Sequence, residues 1–152
     1  MKASLFFTKS EKNAILEAIK EAEKNTSGEI RVHIETRCKE DVLDRAAWIF
    51  RKLGMDKTRD RNGVLFYLAV KDRKFAIIGD AGINSKVPEG FWNQIKEIME
   101  KNFKEGHFAE GLSEGIKLAG EKLKEYFPYN RDDINELSDD ISFDNTEIKK
   151  EK

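Results

Sequence analysis

Two short polar segments carry the oxygen-bearing side chains that hard cations select. The first contains Asp60 and Asn62 just ahead of a glycine, and the second contains Asp80 and Asn84. Carboxylates, amide oxygens and backbone carbonyls are the ligands that calcium and magnesium prefer. We therefore predict a weak divalent-cation site, for calcium or magnesium, formed by Asp80 and Asp60 with Asn62 and Asn84.

Neither segment is a complete calcium-binding loop. Thr58, Asp60 and Asn62 alternate as in the first half of an EF-hand, but the bidentate glutamate that an EF-hand requires would fall at Ala69. An ion site must therefore combine the two segments. Asp and Asn beside glycine are also ordinary turn residues whose side chains bond to nearby amides, so a purely structural role is the alternative.

The pair Arg61 and Asp80 supports a second, enzymatic interpretation. Asp80 could act as a nucleophile or a metal ligand, while the guanidinium of Arg61 or Arg59 could neutralise a phosphate. The protein would then be a weak metal-dependent phosphatase acting on small phosphomonoesters or phosphoproteins. The sequence contains no phosphate-binding GxxxxGK loop and no GxGxxG or HExxH motif, so none of these catalytic signatures supports a specific reaction.

The surrounding elements predict that both polar segments lie at one end of a sheet. Residues 64–70 form an unbroken apolar run typical of a central strand, and residues 75–78 follow after a tight charged turn. In such a hairpin the start of the first strand and the end of the second lie together. An earlier strand at residues 30–34, joined by a helical crossover, adds residues 27–29 at the same end.

Helical patterns flank these strands. Thr8 and Glu11 form a capping box before the first amphipathic helix. A second helix begins near Asp41, two more follow Pro88 and residue 106, and the order of elements is helix, strand, helix, strand, strand, helix, helix. This order predicts an α/β fold: a Rossmann-like, three-layer αβα sandwich around a small mixed sheet.

The first strand alternates apolar and polar residues. This alternation predicts one face in the core and one face towards solvent, near a sheet edge. His33 and Glu35 fall on the polar side, and no second ligand at metal spacing accompanies His33. We therefore interpret His33 as a surface histidine.

Length and composition restrict the class of protein. The 152 residues, 39% of them hydrophobic, suffice for one globular domain with a substantial core, and a single cysteine excludes an internal disulfide. Lysines and arginines alternate with glutamates along helical faces, so we expect no nucleic-acid partner. No apolar run approaches the ~20 residues of a membrane helix, and no secretory signal is apparent, so we expect a cytoplasmic monomer without membrane insertion.

The end of the chain differs in composition from the rest. Residues 132–152 contain eight acidic residues and three lysines, a net charge of −5, which leaves +4 on the remainder. We predict an α/β domain over residues 1–130 and an acidic, largely disordered tail over residues 131–152.

Several motifs together resemble the TPM-domain family, named for a thylakoid lumen protein, a photosystem repair protein and an animal receptor-accessory protein. They are SGEI at 27–30, RNGVL at 61–65, DRK at 72–74, GDAGI at 79–83, FKEG at 103–106 and FAEGL at 108–112. The resemblance covers about residues 6–128. It implies an αβα sandwich, divalent-ion binding in some members, and the acid phosphatase activity attributed to the plant lumen member.

The chain resembles the soluble, stand-alone bacterial type of this family, and the resemblance includes Asn62 and Asp80 but not Asp60. We favour a non-enzymatic, divalent-cation-binding interaction module, an accessory in the maintenance of membrane proteins or complexes. Its protein partner would contact the acidic tail or an exposed face. The alternatives are the phosphatase described above and an adaptor with no ion site.

Overall fold

The computed structural model describes residues 3–129 and 140–143, and within them helices cover both faces of a four-stranded mixed sheet. The three-layer αβα sandwich is thereby confirmed. The strands are β1 (Glu29–Glu35), β2 (Gly63–Ala69), β3 (Lys74–Gly79) and β4 (Ser142–Phe143). The helices are α1 (Lys9–Asn25), α2 (Val42–Lys52), α3 (Ala81–Asn84), α4 (Asn93–Lys104) and α5 (Phe108–Leu123).

The sheet has the strand order β3-β2-β1-β4. β1 and β2 are parallel, as their helical crossover requires, and β3 runs antiparallel to β2. Glu29 lies opposite Gly63, and Val64 lies opposite Gly79. The starts of β1 and β2 and the end of β3 therefore share one end of the sheet, as the hairpin argument predicts.

Apolar side chains form one layer on each face of the sheet. On the larger side, Val64 and Phe66 of β2 pack with buried residues of α1, α4 and α5. On the smaller side, Leu65 and Tyr67 pack with α2. Every residue of β2 is buried, which confirms the central strand predicted from its unbroken apolar sequence.

The start of α1 confirms the capping box. The Thr8 hydroxyl accepts from the Glu11 amide at 3.1 Å, and the Glu11 carboxylate accepts from the Thr8 amide at 2.8 Å. Asp41 caps α2 by accepting from the Leu43 and Asp44 amides, each at 3.1 Å. Caps of this kind stabilise a helix by about 1 kcal/mol.

Two helix boundaries differ from the sequence prediction. α4 begins at Asn93 and not directly after Pro88, because Gly90 adopts a φ of +79° and residues 88–92 form turns. The second polar segment is also not wholly loop, since Asp80 caps the short helix α3. A one-turn helix is too short to give a periodic signal.

The predicted solvent-facing side of β1 is wrong. His33 is 0% exposed and Glu35 is 1% exposed, so both lie inside the protein. The polar face is buried because Arg45 of α2 and Tyr67 of β2 supply hydrogen bonds to Glu35, while the Ser142 hydroxyl of β4 lies 2.6 Å from Nδ1 of His33. Burial of polar groups is tolerated when they are paired in this way.

The predicted acidic tail lies mostly outside the described residues. Of residues 131–152, the structure describes 140–143, and two of these four residues form β4. The domain boundary at residue 130 stays a prediction.

Candidate functional site

The two polar segments meet through backbone contacts. The Asp80 amide donates to the Gly63 carbonyl at 2.9 Å. A β-carbon at Gly82 would stand 2.2 Å from the carbonyl oxygen of Asp60 and 2.5 Å from that of Arg61. The close approach of the two segments therefore requires glycine at this position.

Asp80 and Arg61 form the central ion pair of this region. The Arg61 guanidinium donates from Nε to Oδ2 and from Nη2 to Oδ1 of Asp80, both at 2.8 Å. Oδ1 also accepts from the Ala81 amide at 2.7 Å, which fixes the carboxylate at the start of α3. The Asp80 side chain is 5% exposed and that of Arg61 is 50% exposed, so a buried anion is neutralised by a cation that reaches solvent.

A second carboxylate contributes to the electrostatics of this pair. The hydrogen bonds to Asp80, the charge of Asp80 and, more weakly, the charge of Asp56 raise the pKa of Arg61. The Oδ1 atom of Asp56 is buried and has no hydrogen-bond partner among the described residues. Our sequence prediction did not include Asp56, although its position in the same polar loop as Asp60 was a signal for it.

Asn62 connects the first polar segment to the start of β1. Its Nδ2 donates to the Ser27 carbonyl at 2.9 Å, and its backbone oxygen accepts from the Glu29 amide at 3.0 Å. The side-chain Oδ1 is buried without a hydrogen-bond partner among the described residues. A buried amide oxygen in this state is an acceptor that an ion or a water molecule would satisfy.

Asp60 and Asn84 occupy more exposed positions. The Asp60 carboxylate is 51% exposed and pairs with Arg59 at 3.2 Å, while the Asn84 side chain donates to the Gly79 carbonyl at 2.8 Å. Among residues 3–129 and 140–143, no three Asp, Glu, His or Cys side chains are grouped as they would be to hold a metal by themselves. An ion at this end of the sheet would therefore need amide and backbone oxygens besides Asp80.

An open cleft of about 460 Å³ adjoins the two segments. Asp60 and Gly82 line it together with residues 126–129, which follow α5. The lining residues are Ser27, Arg59, Asp60, Gly82, Ser85, Lys86, Tyr126, Phe127, Pro128 and Tyr129. The cleft therefore combines hydroxyl, basic and aromatic groups beside the ion pair.

A separate buried polar cluster lies near the other end of β1. Arg45 donates to both carboxylate oxygens of Glu35, at 2.9 Å and 2.5 Å, and the Tyr67 hydroxyl donates at 2.6 Å. Burial raises the pKa of Glu35, but the hydrogen bonds from His33, Arg45 and Tyr67 outweigh it and lower that pKa to about 2. Burial and the bond to Glu35 raise the pKa of Tyr67. At neutral pH the Glu35 carboxylate is therefore ionised, and it anchors β1 to α2 and β2 inside the domain.

The fold and the site together define a class of protein. It is an αβα domain in which two polar loops meet at one end of a small mixed sheet. Within that class, the chain belongs to the TPM domain family, whose model matches residues 2–122. In the described part of the chain, no helix is both long enough and apolar enough to span a bilayer.

Solved structures agree with this assignment. The chain is 50% identical to the BA42 protein of the psychrophilic bacterium Bizionia argentinensis, with 93% of this chain and 97% of that one covered and a TM-score of 0.87. The N-terminal domain of a P. gingivalis protein has the same fold (19% identity, 84% and 83% covered, TM-score 0.69). The N-terminal domain of a Corynebacterium glutamicum protein also has this fold, with 12% identity, 90% of this chain and 80% of that one covered, and a TM-score of 0.60. A comparison with curated proteins gives no match.

Proposed function

We propose that this TPM domain is a divalent-cation-binding interaction module, with Asp80 as the central ligand for calcium or magnesium. The observation that carries the proposal is the ion pair between buried Asp80 and half-exposed Arg61. A buried carboxylate needs a counter-charge, and a side chain that reaches solvent can leave when a better cation arrives. Arg61 is then the internal competitor of the ion.

The oxygen atoms near Asp80 suit a hard cation of modest affinity. Calcium takes six to eight oxygen ligands, including carbonyls and water. Asp80 would supply carboxylate oxygens, and Asn62 has a buried Oδ1 without a hydrogen-bond partner among the described residues. Asp60 and Asn84 would join by rotating their exposed side chains. A set with so few carboxylates favours weak binding, in keeping with a sensor of millimolar ion levels.

Ion binding would reach a partner through the adjoining cleft. Asp60 and Gly82 belong to the two polar segments and also line the cleft, so displacement of Arg61 would change one of its walls. A protein partner docked there would bind with an affinity that depends on the ion. An accessory role in membrane-protein or complex maintenance fits a domain of this kind.

The test is a calcium and magnesium titration of the full chain, followed by the backbone amides in NMR spectra. We expect saturable shifts confined to Asp60–Gly63 and Asp80–Asn84, with Arg61→Gln binding more tightly and Asp80→Asn binding at least tenfold more weakly. Arg59→Gln is the matched control, because it removes an exposed ion pair beside the same loop. Unmoved amides in both segments would refute the proposal.

A metal-dependent phosphatase is the second candidate. Arg59 lines the cleft and Arg61 binds Asp80, and guanidinium groups of this kind suit a phosphate. Asp80 accepts three hydrogen bonds, so it would need Arg61 to move before acting as a nucleophile. Hydrolysis of an aryl phosphate with magnesium that Asp80→Asn abolishes would favour this candidate, and equal turnover by both proteins would exclude Asp80 from the reaction.

A further inference from the structure

The outer edge of β1 is covered by a very short segment of the chain itself. β1 has seven residues, and all seven pair with β2. On the other side, within the described residues, β4 pairs in parallel with His33 and Ile34 alone. In the part of the chain that the structure describes, the strand that closes the sheet here therefore uses two positions of a longer edge.

Specific side chains of the domain recognise the covering segment. The Ser142 hydroxyl lies 2.6 Å from Nδ1 of His33 and donates to the Val32 carbonyl at 3.3 Å. Phe143 is 8% exposed and packs into the larger apolar layer, with the Lys12 ammonium 5.3 Å from its ring centre. A hydroxyl followed by an aromatic ring in extended conformation is what this edge accepts.

The side chain that binds the hydroxyl, His33, is positioned by residues outside β4. His33 Nε2 donates to the Glu35 carboxylate at 3.3 Å, and Arg45 and Tyr67 also donate to that carboxylate. All four residues lie within the region that matches the family model, residues 2–122, whereas β4 lies beyond it. The residues that contact the hydroxyl thus lie inside the region that the family model matches, and the segment that occupies the edge lies beyond it.

We propose that the outer edge of β1 is a docking site for an extended strand of a protein partner, and that residues 140–143 occupy it as an internal, displaceable ligand. The partner strand runs parallel to β1 and presents serine or threonine followed by an aromatic residue. Its affinity comes from main-chain pairing, and its specificity comes from the hydroxyl and the ring. This site is distinct from the cation loops and does not depend on them.

Displacement is favoured by the unequal lengths of the competitors. Among residues 140–143 the internal segment pairs two residues with β1, and a partner strand that pairs along more of β1 would form additional main-chain hydrogen bonds. The internal segment has the advantage that it belongs to the same chain, which raises its effective concentration over that of a free strand. A strand without the hydroxyl would leave Nδ1 of His33 buried without a partner, so the site discriminates against it.

The experiment uses the full chain and a labelled synthetic peptide with the sequence of residues 137–146. In the double variant Ser142→Ala with Phe143→Ala, the internal ligand is impaired, and we expect the peptide to bind at least tenfold more tightly than to wild type. Amide shifts should centre on Val32, His33 and Ile34. The conservative variant Ser142→Thr keeps the hydroxyl and should behave as wild type, and a peptide with alanine in place of the serine should bind at least tenfold more weakly.

A second measurement covers the case in which the double variant does not fold. Excess unlabelled peptide is added to isotope-labelled wild-type chain, and displacement of the internal segment moves the Phe143 amide signal. Absence of both peptide binding and Phe143 displacement would overturn the proposal. Equal binding to wild type and folded double variant would also overturn it. If the wild-type chain and the double variant formed a dimer with each other but neither bound the peptide, the edge would belong to a second copy of the chain. That result would also overturn the proposal.

Discussion

Gly82 lies against the backbone of Asp60, so closely that a β-carbon at Gly82 would stand 2.2 Å from the Asp60 carbonyl oxygen. This contact joins the loop before β2 to the short helix after β3. It brings the backbone carbonyls of the first segment next to the residues that follow Asp80. The arrangement of the candidate site therefore depends on one missing side chain.

Replacing Gly82 by alanine is expected to destabilise the domain. The obstacle is backbone, which cannot rotate away, so the two segments must separate, and overpacking of this kind costs about 1–3 kcal/mol. Denaturation in urea measures the loss. Gly28→Ala is the control, because its β-carbon would meet neighbours no closer than 3.5 Å and should change stability by less than about 0.5 kcal/mol. Equal stability of the two variants would contradict this account of the contact.

The meeting of these segments could be predicted from the sequence, but their side-chain partners could not. Strand order and hairpin geometry follow from apolar patterning, and they fix which loops share an end of the sheet. Which cation neutralises Asp80 depends on distances of a few ångströms. The Arg61 and Asp80 pair was visible as a combination of charges, yet nothing in the spacing distinguished an internal ion pair from a phosphate site.

Arg61→Gln is expected to lower the melting temperature by several degrees in the absence of divalent ions. The substitution leaves the buried Asp80 carboxylate without its counter-charge. Because an ion that binds only the folded chain stabilises it, calcium should raise the melting temperature of Arg61→Gln more than that of wild type. Calorimetry with and without calcium measures both effects.

Arg59→Gln provides the comparison for this prediction. Its ion pair with Asp60 is exposed on both sides, and such pairs contribute little to stability. We expect a change of about one degree and the same calcium response as wild type. A calcium effect that is identical in all three proteins would show that Arg61 does not compete with the ion.

The lowered pKa of Glu35 is expected to make the stability of the fold depend on pH in the acidic range. Its hydrogen bonds with His33, Arg45 and Tyr67 outweigh burial and hold its pKa at about 2 in the folded chain, against an ordinary value of 4.5. The folded state therefore binds this proton less readily than the unfolded state. The associated stability, roughly 3 kcal/mol, is complete above about pH 4.5 and is lost as the pH falls towards 2.

The measurement is the free energy of unfolding in urea between pH 2 and pH 6. Glu35→Gln should be less stable than wild type near pH 6 and should show a flatter slope between pH 4.5 and pH 2. Glu17→Gln removes an exposed carboxylate and should reproduce the wild-type slope. If Glu35→Gln kept that slope, other carboxylates would have to cause it.

The burial of His33 and Glu35 shows where sequence reasoning failed in physical terms. Alternation of polar and apolar residues normally indicates a strand with one solvent-exposed face. Here the polar face is covered by α2 and by a two-residue strand 109 positions away from His33 in the chain. A strand of that length has no recognisable period, and pairing over that distance has no local signal.

The glycines of α5 allow a final prediction, because two of them face obstacles of different stiffness. A β-carbon at Gly115 would stand 2.7 Å from Cγ of Met99, whereas one at Gly120 would stand 2.7 Å from Cα of Ala22. The methionine side chain can rotate, and the gain in helix propensity, about 0.8–1 kcal/mol, offsets part of the cost. The backbone of α1 cannot move without opening its packing against α5.

Gly120→Ala should therefore lose about 2 kcal/mol or more, while Gly115→Ala should stay within about 1 kcal/mol of wild type. Urea denaturation of both variants under the same conditions measures the difference. Amide exchange adds a spatial check, since loss of protection in Gly120→Ala should concentrate in α1 near Ala22. Equal losses of stability in the two variants would contradict this prediction. They would mean that the Met99 side chain of α4 resists displacement by α5 as strongly as the backbone of α1 does.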